Sequence, residues 1–190
     1  MSIQYDPTIL PADLPRPVDD GACGHLPGMR LPSLPRAATD GSLIDLSAPH
    51  GGRTVVYVYP RTGRPNEALP TGWDAIPGAR GCTPESCAFR DHHEALRELG
   101  ARVFGLSAQT STDQREVVER LHLPFPLLSD IDLRWSAALR LPTFMVDGMT
   151  LIKRLTLVIR TGAIEHVFYP VFPPDAHADH VCRWLANNRM

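Results

Sequence analysis

Apolar and polar positions along the chain follow two different periods. From Thr54 to Tyr59 the residues are almost all apolar or β-branched, Val55, Val56, Tyr57 and Val58 in succession, with Gly51-Gly52 before them and Pro60 after. An unbroken run of this length between breakers reads as a central strand buried on both faces. Shorter strands are predicted at Leu43 to Leu46, after the Asp40-Gly41-Ser42 turn, at Arg102 to Leu106 and at Leu127 to Leu128. Lys153 to Ile159 and Ala163 to Phe168 flank Arg160-Thr161-Gly162 and read as a hairpin. A helical period takes over from about Thr83 to Leu99, Thr112 to Leu121, Leu133 to Leu139 and Pro174 to Asn187. Strands and helices alternate through the middle, which predicts an α/β fold with a mixed central sheet and helices on both faces.

Two stretches carry neither period. Residues 1–30 are Pro-rich and irregular and read as a segment that wraps a domain spanning 31–190. Between Pro60 and Gly81, the residues Pro65, Pro70, Gly72, Pro77 and Gly78 break any regular element, and the connection is longer than most.

Composition narrows the function. The chain has 190 residues and a formal net charge of −2, enough for one well-cored domain and no basis for a nucleic-acid or membrane partner. The first 25 residues hold no apolar run of the kind a signal peptide needs, and no stretch reaches the length of a membrane span, so a cytoplasmic location is expected. Four cysteines in such a chain point to redox or metal chemistry in place of a disulfide framework.

The most informative of them are Cys82 and Cys87, in Gly81-Cys82-Thr83-Pro84-Glu85-Ser86-Cys87-Ala88-Phe89-Arg90-Asp91. Pro84 suits the first turn of a helix and Glu85 its positive end, which puts Cys82 at the helix N-terminus. Free backbone donors there favour a thiolate, hence a nucleophilic sulfur at neutral pH. With the helix intact, residues five apart point about 140° apart and lie roughly 8 to 9 Å from each other, too far for a disulfide. A bond between the two therefore requires the first turns to unwind.

Taken together, several blocks resemble peroxiredoxins of the bacterioferritin comigratory (PrxQ) type: the Gly-Cys-Thr segment with its Arg90-Asp91, the strand ending in Tyr59-Pro60, Gly105-Leu106-Ser107, Phe125 to Asp130, and Arg154 to Ile159 followed by Gly162 to Phe168. The resemblance runs from about Leu31 to Leu185 and implies a thioredoxin-like fold. It implies a thiol peroxidase acting on hydrogen peroxide and organic hydroperoxides, with Cys82 as peroxidatic and Cys87 as resolving cysteine, no cofactor, a thioredoxin-like dithiol as reductant, and a monomer or weak homodimer. Arg154 matches the family's arginine beside the sulfur, in preference to its neighbour Lys153, and Pro60 the proline that shields it. The family pattern Pro-x-x-x-Thr-x-x-Cys is broken, because Ala79 stands three residues before Cys82 and the Pro60–Cys82 interval is extended. Thr62 and Thr83 are the nearest hydroxyls, and Thr62, close to Pro60, is the one expected to bind peroxide.

Competing readings remain open at this stage. Cys82, Cys87, His92 and His93 could form a zinc-binding or redox-sensing thiol module, although helix spacing spreads the sulfurs and turns adjacent histidines apart. Cys23, in the irregular segment, and Cys182, beside Val181, Trp184 and Leu185, read as packing residues. Glu85 reads equally well as a dipole-complementing residue or a catalytic one, and Arg90 with Asp91 as a helix-bracing pair.

Overall fold

The computed structural model describes residues 6–189; residues 1–5 of the Pro-rich segment and Met190 lie outside them. One sheet of seven strands is built from β1 (Arg36–Ala38), β2 (Leu43–Ile44), β3 (Arg53–Val58), β4 (Ala101–Ser107), β5 (Leu127–Ser129), β8 (Leu155–Arg160) and β9 (Ala163–Phe168). Their order across the sheet is β2-β1-β5-β4-β3-β8-β9. β3, β4 and β5 run parallel, and β1, β8 and β9 join antiparallel to their neighbours. Parallel neighbours need long crossovers. α1 (Cys82–Asp91) and α2 (His93–Glu98) make the first and α3 (Ser111–Leu121) the second.

The alternating side chains of the central strands feed two cores. Val55, Tyr57, Val103 and Leu127 face Phe89, Leu96, Val117 and Val181, from α1, α2, α3 and the C-terminal helix α5 (His177–Asn187). On the other face Val56, Val58, Phe104, Leu106 and Leu157 meet Trp135 and Leu139 of α4 (Arg134–Leu139). That second face has too little helix to close it. The irregular segment does the rest, with Leu26 fully buried and Cys23 buried beside it, tied down where Gly28 N–H donates to Ile164 O at 2.7 Å. All six residues of β3 are buried, the run Val55 to Val58 by its apolar character and Arg53 through its pairing with Glu165.

Three departures from the sequence reading have physical causes. The helix expected over Thr83 to Leu99 is two helices, because the chain leaves helical geometry at His92 (φ −97°, ψ 5°), whose Nδ1 lies 2.9 Å from Ala88 O. A separate hairpin, β6 (Thr143–Val146) with β7 (Met149–Ile152), was not anticipated. Its signal was there in Asp147-Gly148, both at positive φ (46° and 74°), the pair that a tight two-residue hairpin turn favours. The long Pro60–Gly81 connection is also not wholly irregular: Trp73–Ala75 forms a short 3-10 helix, and Trp73 and Ala79 bury against Val146 and Leu151 of the hairpin. The inserted loop and the hairpin thus share a small core of their own.

Candidate active site

Gly81 begins the site. Its φ of 99° is left-handed, and a Cβ there would collide with Pro174 Cγ and lie 3.0 Å from a Leu10 methyl, so both conformation and space demand glycine. The turn delivers Cys82 as the first residue of α1, with Cys82, Thr83, Glu85 and Ser86 all buried. Pro60, also buried, ends the run from β3, and the backbone N–H of the next residue, Arg61, lowers the pKa of the Cys82 thiol, whose sulfur lies 3.5 Å from Ala79 O.

Arg154, 3% exposed just before β8, joins these pieces. Its Nη2 donates to Cys82 Sγ at 3.2 Å, to Arg80 O at 3.0 Å and to Ala79 O at 3.3 Å. Nε donates to Gly78 O at 3.3 Å, while Nη1 pairs with Glu85 Oε2. The planar fork therefore ties the end of the inserted loop to the first turn of α1, a task for which a lysine has the wrong geometry. Lys153 points elsewhere, its Nζ 2.8 Å from Asp20 in the irregular segment. Between the two neighbouring cations, it is Arg154 that the structure brings to the sulfur.

The electrostatics are less simple than a helix N-terminus suggests. Burial pushes the Cys82 thiol above its ordinary value; the Arg154 cation pulls the other way, Glu85 adds to the rise, and the Arg61 N–H lowers it. Helix placement alone favours a depressed thiol; burial works against it here and outweighs the donors. Burial also lifts Glu85 to about 7, against the pull of Arg154. One cation faces two acids, and Glu85 Oε1 is buried without a hydrogen-bond partner.

The remaining sulfurs lie apart. Cys87, half-buried in the second turn of α1, is a free thiol like the other three, and burial raises its pKa against the influence of Arg90. Cys23 is pushed up to about 12 and Cys182 to about 11, in both cases chiefly by burial, and both pack in apolar cores. Arg90 braces α1, bonding Asp91 at 2.8 Å and Leu121 O at 2.9 Å. His92 and His93 do not complete a metal site with the cysteines: among the described residues no three His, Cys, Asp or Glu side chains gather around one point.

Thr62 is buried, and both its N–H and its hydroxyl donate to Gln109 Oε1, at 2.9 and 3.0 Å. Thr83 is buried with a hydroxyl that meets no partner. Sequence reasoning left Glu85 undecided and passed over Gln109. For Glu85 the available signal was its position three residues after Cys82, which aligns a buried acid with the sulfur on one helix face. A cavity of about 310 Å³ borders Gly78 and Arg154 between Val18, Ile76, Phe144 and Val171, but Cys82, 3% exposed, is not on its wall.

Comparison with known proteins gives the family. The Redoxin family model matches residues 26–181. Peroxiredoxin Q, chloroplastic, of Sedum lineare is 31% identical over 147 residues, covering 77% of this chain and 70% of that protein. The chain belongs to the peroxiredoxin family, in its Q branch. The chloroplastic peroxiredoxin Q of Oryza sativa subsp. japonica is 29% identical over 165 residues, covering 86% of this chain and 68% of its own. Among solved structures, the peroxidoxin BcpB from Mycobacterium tuberculosis superimposes with a TM-score of 0.69 at 27% identity, over 87% of this chain and all of that one. The Xylella fastidiosa PrxQ C47S mutant gives 0.69 at 20% identity, over 86% and 98%, and supports the thioredoxin-like fold. This peroxiredoxin is accordingly a thiol-dependent peroxidase. Among the described residues no helix is long and apolar enough to cross a membrane.

Proposed function

We propose that Cys82 is the nucleophile that reduces the peroxide and Cys87 the thiol that resolves the product. The observation that carries this reading is the 3.2 Å contact between Arg154 Nη2 and Cys82 Sγ, the one cysteine sulfur here that meets a buried cation. The Cys82 thiolate attacks one peroxide oxygen, the O–O bond breaks, and the other oxygen leaves with its electron pair and takes up a proton as water or an alcohol. Arg154 and the Arg61 N–H stabilise the charge passing from sulfur to the departing oxygen, and Pro60 walls off the site. Thr62 spends its hydroxyl proton on Gln109, which leaves oxygen lone pairs to accept a hydrogen bond from the peroxide O–H.

The oxidised sulfur is then a sulfenic acid, which the Cys87 thiolate attacks, forming the S–S bond and releasing the oxygen as water. The helix has to open from Gly81 to about Phe89 for this, because an intact α1 keeps residues five apart roughly 8 to 9 Å from each other. A thioredoxin-like dithiol exchanges with the disulfide and restores both thiols. We place this cycle in the cytoplasm, as an antioxidant function of a monomer or weak homodimer with residues 31–190 as its domain. Hydrogen peroxide and organic hydroperoxides are both substrates of this reading. Alkyl peroxide reduction is the activity ascribed to one structural neighbour, the bacterioferritin comigratory protein of Xanthomonas campestris.

The test is intact mass after one equivalent of peroxide, with each cysteine replaced in turn. Wild type loses two hydrogens as the bridge forms, Cys87→Ser gains one oxygen that a sulfenic-acid trap captures, and Cys82→Ser shows neither change and no turnover. Cys23→Ser and Cys182→Ser keep wild-type behaviour. Turnover surviving in Cys82→Ser, or a bridge from Cys82 to Cys23, Cys182 or a second chain, ends this assignment.

A further inference from the structure

At the end of the sheet away from Cys82, where β3 and β4 begin, a cleft of about 460 Å³ opens in front of Gly51 and Gly52. β3 runs six residues from there to the active-site end, a separation of about 20 Å at 3.3 Å per residue. The titratable side chains on its wall are His50, His93, Arg97 and Arg102, and no acidic residue lines it. Phe104 and Phe125 form part of an apolar floor.

Arg102 lines this cleft without a carboxylate partner. The fully buried arginines each have one: Arg36 has Asp130, Arg53 has Glu165 and Arg154 has Glu85. Arg102 is half-buried, and burial alone, with no compensating acid, acts on its pKa, in the downward direction. Its Nε is fixed by Thr54 Oγ1 at 2.7 Å and its guanidinium lies 5.3 Å from the Phe104 ring centre. Among the described residues its two Nη nitrogens meet no acceptor, so an oriented fork faces the cleft with its bidentate edge unused. Arg97, held by Glu94 at 2.9 Å, brings a second guanidinium to the same opening, while burial and Arg97 itself push the His93 pKa down.

We propose that this cleft binds a small phosphate-bearing organic molecule, the phosphate on Arg102 and the organic body over the apolar floor. A guanidinium fork matches two oxygens of a phosphate, and the second guanidinium of Arg97 at the same opening suits a dianion better than a carboxylate. The floor and the volume exceed what an inorganic ion uses, and a cleft of this size lies within the range of small-molecule sites. The site is separate from the thiol chemistry and does not depend on which cysteine performs it.

Titration of the reduced protein at low salt with adenosine monophosphate and, separately, inorganic phosphate, followed through backbone amide NMR, tests this. Adenosine monophosphate is expected to shift Gly51, Gly52, Gly100 and Ala101 saturably, leave Gly81 and Cys82 unmoved, and bind more tightly than phosphate. Arg102→Gln weakens it about tenfold, the worth of one charged hydrogen-bonding contact, Arg102→Lys by less, and peroxide turnover is unchanged in both. Should Arg102→Gln unfold, the exposed pair His50→Ala and Arg97→Ala carries the test, with a several-fold loss expected. Absence of saturable shifts at millimolar ligand, wild-type affinity in these variants, or phosphate binding as tightly as the nucleotide would overturn the proposal.

Discussion

Among the described residues, two arginine–carboxylate pairs of this peroxiredoxin are buried on both sides, Arg36–Asp130 and Arg154–Glu85, and they are built to different standards. At β1, Arg36 Nη1 bonds Asp130 Oδ1 at 2.7 Å, and Asp130 also accepts from Trp135 N–H at 3.1 Å, Ser136 N–H at 2.9 Å and Ser136 Oγ at 2.5 Å. Each oxygen of that carboxylate has partners, so Asp130 caps the turn into α4 and fixes the edge of the sheet. At β8, Arg154 bonds Glu85, three carbonyls and a sulfur, while Glu85 Oε1 has no partner and its carboxyl is raised to about 7. Fully satisfied polar networks rigidify a fold, and an incompletely satisfied one marks a place where charge is meant to move. The first pair holds structure; the second is poised for a third participant.

The largest expected difference is in chemistry. Arg154→Met removes the cation beside the sulfur, and peroxide turnover should fall by about 10²- to 10³-fold, the usual cost of losing one preorganised charge contact. Alkylation of Cys82 against pH should move upward at the same time, since burial then acts on the thiol with only the Arg61 N–H against it. The protein should still fold, because Glu85 can take up a proton once its partner is gone. An unchanged alkylation profile would break the comparison and pass the role to Arg61 or Arg90.

The structural pair should respond the other way. Asp130→Asn leaves Arg36, which cannot deprotonate, buried with only Asp132 at 2.6 Å, and sets an amide against donors that need an acceptor. A loss of about 3 kcal/mol in denaturant-determined stability is expected, as for one-sided cuts of buried pairs, while turnover per folded molecule stays at the wild-type level. A loss of activity without a loss of stability would show that the two pairs are not separate in function.

How much of this was readable beforehand follows from the range of each interaction. β3 declared itself through an apolar run, and α1 through Gly81, Pro84 and Glu85, because these signals are local. Arg154 could be placed beside Cys82 only through the family resemblance, since 72 residues separate the two. The β6–β7 hairpin had its Asp147-Gly148 turn in plain view but short, mixed flanks whose partner, the inserted loop with Trp73, lies far off in sequence. The net rise of the Cys82 thiol depends on burial by many elements at once, which no spacing reports. The unpaired Arg102 is of the same kind, visible only when the carboxylates that could have met it are seen to lie elsewhere.

The subtlest test concerns Glu85, where the contest between two acids for one cation is decided. Its folded pKa of about 7 lies above the ordinary 4.5, so in the folded state the proton is held through a pH range in which the unfolded chain has released it. The stability this lends is complete below about pH 4.5 and is lost as pH rises towards 7. Glu85→Gln, which cannot titrate, should flatten that slope, read as a smaller drop in melting temperature between pH 5 and pH 8. It should also leave Arg154 to the sulfur alone and shift thiolate formation at Cys82 downward by about one unit, equivalent to roughly 1.4 kcal/mol of interaction. Both changes have to appear together, because they are two readings of one shared charge. If stability keeps its wild-type pH slope while the thiol shifts, Glu85 is ionised throughout and the second pair is as settled as the first.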